Sequence, residues 1–84
     1  MENVQYEERF FETSDINIAA TILAFGIPLV GINRLDPHHC LFEFESTKQI
    51  HEIAYNYWAR KLTIDPFILL GSLKSIKARL YSER

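Results

Sequence analysis

Between Asp15 and Arg34 the chain runs for eighteen residues without a charge, and this stretch limits the possible folds more than any other. Its length meets the minimum for a membrane span. Asn17, Gly26, Pro28 and Gly31 interrupt it, however, and Gly26-Ile27-Pro28 reads as the end of one element and the start of another. The stretch is therefore expected to form a helix over residues 16–25 and a strand over 29–33, both inside a folded domain rather than a bilayer. Ile16, Ala19, Ala20 and Leu23 on one helix face, with Ile18, Ile22 and Phe25 on the next, leave only Asn17, Thr21 and Ala24 for solvent.

The flanking residues supply the rest of a small fold. Residues 9–13, Arg-Phe-Phe-Glu-Thr, have the aromatic and β-branched content of a strand, and Ser14 or Asp15 can cap the helix that follows. Residues 40–45 alternate so that Cys40, Phe42 and Phe44 share the core face. Residues 34–39 hold an Asp-Pro signal and are expected to form the loop of a hairpin. Ser46 and Gln49 have capping-box spacing ahead of a second helix carrying Ile50, Ile53, Ala54, Tyr57 and Trp58 to about residue 61. Asp65-Pro66 opens a third helix towards Tyr81, with Phe67, Leu70, Leu73, Ile76 and Leu80 directed inward and Leu69 beside them.

This order predicts an α+β fold: a small three-stranded sheet in β-α-β-β-α-α order, with helices packed mainly on one face. A crossover from the first strand to the second makes them parallel, and the third fits antiparallel between them in the order 1-3-2. The opposite sheet face is expected to stay open and to carry Leu29, Leu41 and one of Phe10 or Phe11 beside Glu43 and Glu45.

With 84 residues, 48% of them hydrophobic, the chain can build one core and no second one. Residues 1–8 read as a frayed N-terminal segment and 9–84 as a single globular domain. Cys40 is the sole cysteine, which rules out an internal disulfide, and residues 1–9 lack the basic and apolar regions of a secretion signal. A cytoplasmic location is expected. The net charge of −2 conceals an asymmetry: residues 1–45 hold two basic side chains against eight acids, net −6, whereas residues 46–84 hold seven against three, net +4.

No pattern of catalytic residues stands out. His38, His39 and Cys40 are of metal-ligand type, with His51 a candidate fourth, but neighbours in an extended chain point to opposite sides. Glu43 and Glu45 share one strand face, where solvated carboxylates are the ordinary outcome. The three glycines are too widely separated to cradle a phosphate. The sequence implies no enzyme activity, cofactor, metal or small-molecule substrate, and no membrane partner.

Phe11-Glu12-Thr13-Ser14-Asp15 leads into Ala19-Ala20 and Gly26, and Phe42-Glu43-Phe44, Tyr57-Trp58 and Asp65-Pro66 follow. Together with the closing Leu73-Lys74-Ser75-Ile76-Lys77-Ala78-Arg79-Leu80-Tyr81, they give a chain that resembles a domain of unknown function found in short bacterial and phage proteins. The resemblance covers about residues 11–81. It implies bacterial or mobile-element origin and a small stand-alone protein, and it transfers no active-site motif.

What remains is binding. Protein association, as a homodimer or with another partner, is the first expectation, through the open sheet face with Leu29, Leu41 and Glu43 or through the aromatic helix surface at Tyr55. Nucleic-acid binding is the second. Lys74, Lys77, Tyr81 and Arg84 fall at i, i+3, i+7 and i+10, and Arg60, Lys61 and Arg79 add basic charge. A third expectation is inhibition of a host protein by the acidic half, through Glu7 and Glu8.

Overall fold

The computed structural model describes residues 9–82. Glu7, Glu8 and Arg84 lie outside these described residues, as does the expected frayed segment. The elements are β1 (Phe10–Thr13), α1 (Ile16–Ala24), β2 (Leu29–Asp36), β3 (His39–Glu45), α2 (Lys48–Trp58) and α3 (Pro66–Ser82). The fold is α+β, in the order read from the sequence. The strands lie in the order β1-β3-β2, and both outer strands are antiparallel to β3. β1 and β2 thus run parallel to each other on opposite edges.

Capping chemistry explains why the helices begin where they do. Asp15 accepts hydrogen bonds from the backbone N–H groups of Asn17 and Ile18 at 2.8 and 3.4 Å. Asp65 accepts from the Phe67 N–H at 2.9 Å, with Pro66 in the first turn, where no N–H is needed. For α2 the cap is Thr47, whose hydroxyl accepts from the Ile50 N–H at 3.1 Å. The expected cap, Ser46, instead shares a 3.0 Å hydrogen bond with His51 Nε2.

α1 and α2 end in the same way. The Gly26 and Ile27 N–H groups return to the carbonyls of Leu23 and Ile22, and those of Arg60 and Lys61 return to Tyr57 and Asn56. The left-handed residue this ending requires is Gly26 in α1, at φ +94°, and Arg60 in α2, at φ +62°. A side chain at such a position costs on the order of 1 kcal/mol, so the two ends differ in strain.

The core lies between the sheet and the helices. Phe42 and Phe44 of β3, Ile22 of α1, Ile50 of α2 and Ile76 of α3 are its largest fully buried side chains. Each contributes roughly 1.5–3 kcal/mol by leaving water. Ala19 and Ala20 are buried beside them and let the neighbouring elements approach α1 closely.

Several expectations are corrected. Thr21 is buried, because its hydroxyl donates to the Asn17 carbonyl at 2.8 Å and so loses the need for water. Leu29 joins the core at 8% exposure and is not on the open face, since β2 enters the sheet with it paired to Phe44 on the helix side. β2 continues through Arg34, Leu35 and Asp36, so the hairpin loop is only Pro37-His38. Charged residues are tolerated there because β2 is an edge strand. Asp36 organises the turn by accepting the His38 N–H at 2.8 Å and bonding His39 Nδ1 at 2.9 Å. These bonds favour the carboxylate and lower the pKa of Asp36.

Candidate interaction surface

The largest correction concerns α3. Its buried or half-buried apolar residues are Leu69, Leu73, Ile76 and Leu80, at i, i+4, i+7 and i+11. At 3.6 residues per turn these four occupy an arc of about 60°. Phe67 and Leu70 fall outside that arc and stand 84% and 62% exposed, not inward as expected. On α2, Ile50, Ile53 and Tyr57 face in, while Trp58, the last helical residue, is 67% exposed and meets Tyr57 edge-on at 5.2 Å between ring centroids. A hydrophobic-period reading ranks Phe67, Leu70 and Trp58 as core. The detectable signal was that the Leu69-Leu73-Ile76-Leu80 stripe already completes a narrow contact face without them.

Leu70 and Tyr57 border one feature. Asn17, Ala20 and Thr21 of α1, Tyr57 of α2 and Leu69, Leu70 and Leu73 of α3 line an open groove of about 320 Å³. Phe67 lies one turn before Leu70 on the same face of α3, and Trp58 meets the groove-lining Tyr57 edge-on. Ile68 is exposed as well.

The far end of α3 is held differently. Arg79 is half-buried and donates to the Leu29 carbonyl at 3.1 Å, at the point where β2 shifts register between Leu29 and Gly31. From the opposite direction, the Arg34 guanidinium of β2 donates to the Leu80 carbonyl. Arg79 therefore serves the attachment of helix to sheet. Lys74 and Lys77 remain exposed on α3, as do Arg60 and Lys61 in the turn after α2. Tyr55 is 69% exposed on α2.

The open sheet face is acidic. Cross-strand register places Phe10 opposite Glu45 and Glu12 opposite Glu43. The carboxylate neighbour of Glu43 is thus Glu12, across the strand pair. Hydrogen bonding with Glu12, burial and like-charge repulsion from it raise the Glu43 pKa. The Glu43 side chain lies over Gly31, where a Cβ would sit 3.6 Å from its Oε1. Leu41 is half-exposed on the same face, and Arg9 lies over the Phe10 ring at 5.9 Å.

A second hollow, of about 240 Å³, sits at the hairpin tip between Arg34, Asp36, His38, His39 and Cys40 and the α3 residues Leu80 and Tyr81. His51 is elsewhere, against the Phe11 ring and Ser46. Among the described residues no helix is long and apolar enough to cross a membrane.

The caps Asp15 and Asp65, the turn at Gly26 and the core aromatics Phe42 and Phe44, all part of the resemblance, each have a structural role. A family model, a domain of unknown function designated DUF5659, matches residues 8–82. The chain belongs to that family. No curated protein and no solved structure matches it. DUF5659 membership thus covers all but a few residues at each end and assigns no activity to any of them.

Proposed function

We propose that this DUF5659 domain is a non-enzymatic binding module that acts by protein–protein association through the surface formed by Trp58, Phe67 and Leu70. The exposure of Leu70 on the α1–α3 groove, with exposed Phe67 one turn before it and exposed Trp58 edge-on to the groove-lining Tyr57, is the observation that carries the reading. Ten large apolar side chains stand exposed among the described residues, as many as the apolar residues that form the core. Scattered exposed apolar residues are ordinary, but a cluster around a groove marks a contact surface. The single cysteine and the resemblance support a cytoplasmic protein of bacterial, phage or mobile-element origin.

The test is recovery of the full chain with its bound proteins, beside the variant Phe67→Glu/Leu70→Glu. The variant should fold, since both sites face solvent, and should come away without those partners. If its recovered set matched that of the parent, or if the parent were a strict monomer with nothing bound, association through this surface would be refuted.

A second reading is nucleic-acid binding by Lys74, Lys77 and Tyr81, which are exposed on one face of α3. It predicts retardation of DNA or RNA that weakens steeply with salt and is lost in Lys74→Glu/Lys77→Glu. The acidic sheet face with Glu12, Glu43 and Glu45 opposes it, and no retardation at low salt would end it.

A further inference from the structure

The outward face of α3 carries a regular pattern that the core does not use. Phe67, Leu70, Lys74, Lys77 and Tyr81 are all exposed and follow one another at intervals of three, four, three and four residues. That is the spacing of a helix-pairing seam. It starts with two apolar positions beside the groove, continues with two lysines and ends with an aromatic. From Phe67 to Tyr81, a span of fourteen helical steps, it extends about 21 Å. The seventeen residues of α3 include no Asp or Glu, so no acid on the helix itself compensates the lysines.

We infer that this seam receives an amphipathic helix of another protein, with apolar residues opposite Phe67 and Leu70 and acidic residues opposite Lys74 and Lys77. The inference rests on the association reading above and names the partner's chemistry. Such a helix places its first apolar residues over Phe67 and Leu70, where the groove lined by Tyr57, Leu69 and Leu73 lies alongside. Its carboxylates then neutralise two adjacent seam lysines.

A second copy of the chain fits poorly, and the reason is electrostatic. Antiparallel pairing centred on the seam sets Lys74 against Lys74, and parallel pairing in register sets both lysines against their twins. A register that overlaps only Phe67 and Leu70 avoids this but buries two side chains per copy, far short of a stable interface. Like charges held together suppress the wrong partner as opposite charges favour the right one.

The test uses two synthetic eighteen-residue helical peptides, identical except at two positions. Both present Leu at the first two seam positions, and one presents Glu and the other Lys at the next two. Anisotropy titration against the full chain should show the Glu peptide binding about tenfold or more tighter than its Lys twin. Lys74→Glu/Lys77→Glu should reverse that order, with a circular dichroism spectrum matching that of the parent to show that the variant is folded. Equal binding of the twins, no binding of either, or an order that the double variant leaves unchanged would overturn the inference. So would displacement of the Glu peptide by a single-stranded oligonucleotide, or a dimer of the free chain abolished by Leu70→Glu. The two levels separate cleanly. If Phe67→Glu/Leu70→Glu strips the recovered partners but Lys74→Glu/Lys77→Glu leaves them, association stands and the acidic-helix inference falls. If the first variant strips nothing, the association reading falls by itself.

Discussion

From Leu73 to Leu80, α3 is fastened to the domain by Leu73 and Ile76, with Leu80 half-buried, and by reciprocal arginine–carbonyl hydrogen bonds with β2. From Pro66 to Leu70 it gives the core only Leu69 and turns Phe67, Ile68 and Leu70 to solvent. The exposed half is the more apolar, with four large apolar side chains in five residues against three in eight, so composition does not separate them correctly. Angular position does: a narrow stripe suffices to dock the helix, and apolar residues beyond it have nothing to cover them. One half of the helix serves stability, and the other is free to serve recognition.

The sharpest way to break this contrast is to truncate each half in turn. Ile76→Ala should remove about 2–5 kcal/mol of unfolding free energy, the usual range for a fully buried isoleucine. In a domain of this size that is a large part of the total, and urea denaturation should show an unfolded or nearly unfolded chain. Arg79→Met should cost about 1–2 kcal/mol by the same measurement, since it leaves the Leu29 carbonyl without this donor. Arg60→Gly should raise stability by about 1 kcal/mol, because it relieves the left-handed backbone in the turn that leads from Trp58 towards α3. Phe67→Ala should change stability by less than about 0.5 kcal/mol despite removing a phenyl ring. A loss near that of Ile76→Ala would show that the exposed half of α3 is packed after all.

The smallest effect is expected far from α3, at Glu43→Gln. The raised pKa of Glu43 means that protonation is favoured in the folded state. Stability from this site is fully present below the ordinary Glu range, about pH 4.3, and is lost as pH rises through the elevated value. Glutamine removes that dependence. Thermal melts of the parent and variant between pH 4 and 7 should therefore converge at the acid end, and parallel curves would contradict the Glu12–Glu43 pairing.

The sequence was informative where a local rule had one strong answer. Asp15 and Asp65-Pro66 mark helix starts, Gly26 a helix end, and the Phe42–Phe44 alternation the buried side of the central strand. From these, the element order and the 1-3-2 sheet follow. It was less informative where two residues compete for one role. Ser46 and Thr47 can both cap α2, and the choice depends on His51, which takes up the Ser46 hydroxyl. Arg60 carries no glycine signal for its left-handed turn. Arg79 looks like any lysine-rich surface residue until β2 presents a carbonyl to it. The candidate surface was hardest to find, because Phe67 and Leu70 have the residue types of a core and only the geometry of α3 places them outside it.

The central strand of this sheet is the last to be synthesised. Until residues 39–45 have emerged, neither β1 nor β2 has a partner, although α1 between them is already complete. Once β3 is present, the two-residue loop brings it to β2 on a microsecond scale, whereas β1 must close across the whole of α1 and that hairpin. Assembly is therefore expected to start at the β2–β3 edge and to finish at β1. The four-residue edge strand, joined last, is where the sheet should first come apart.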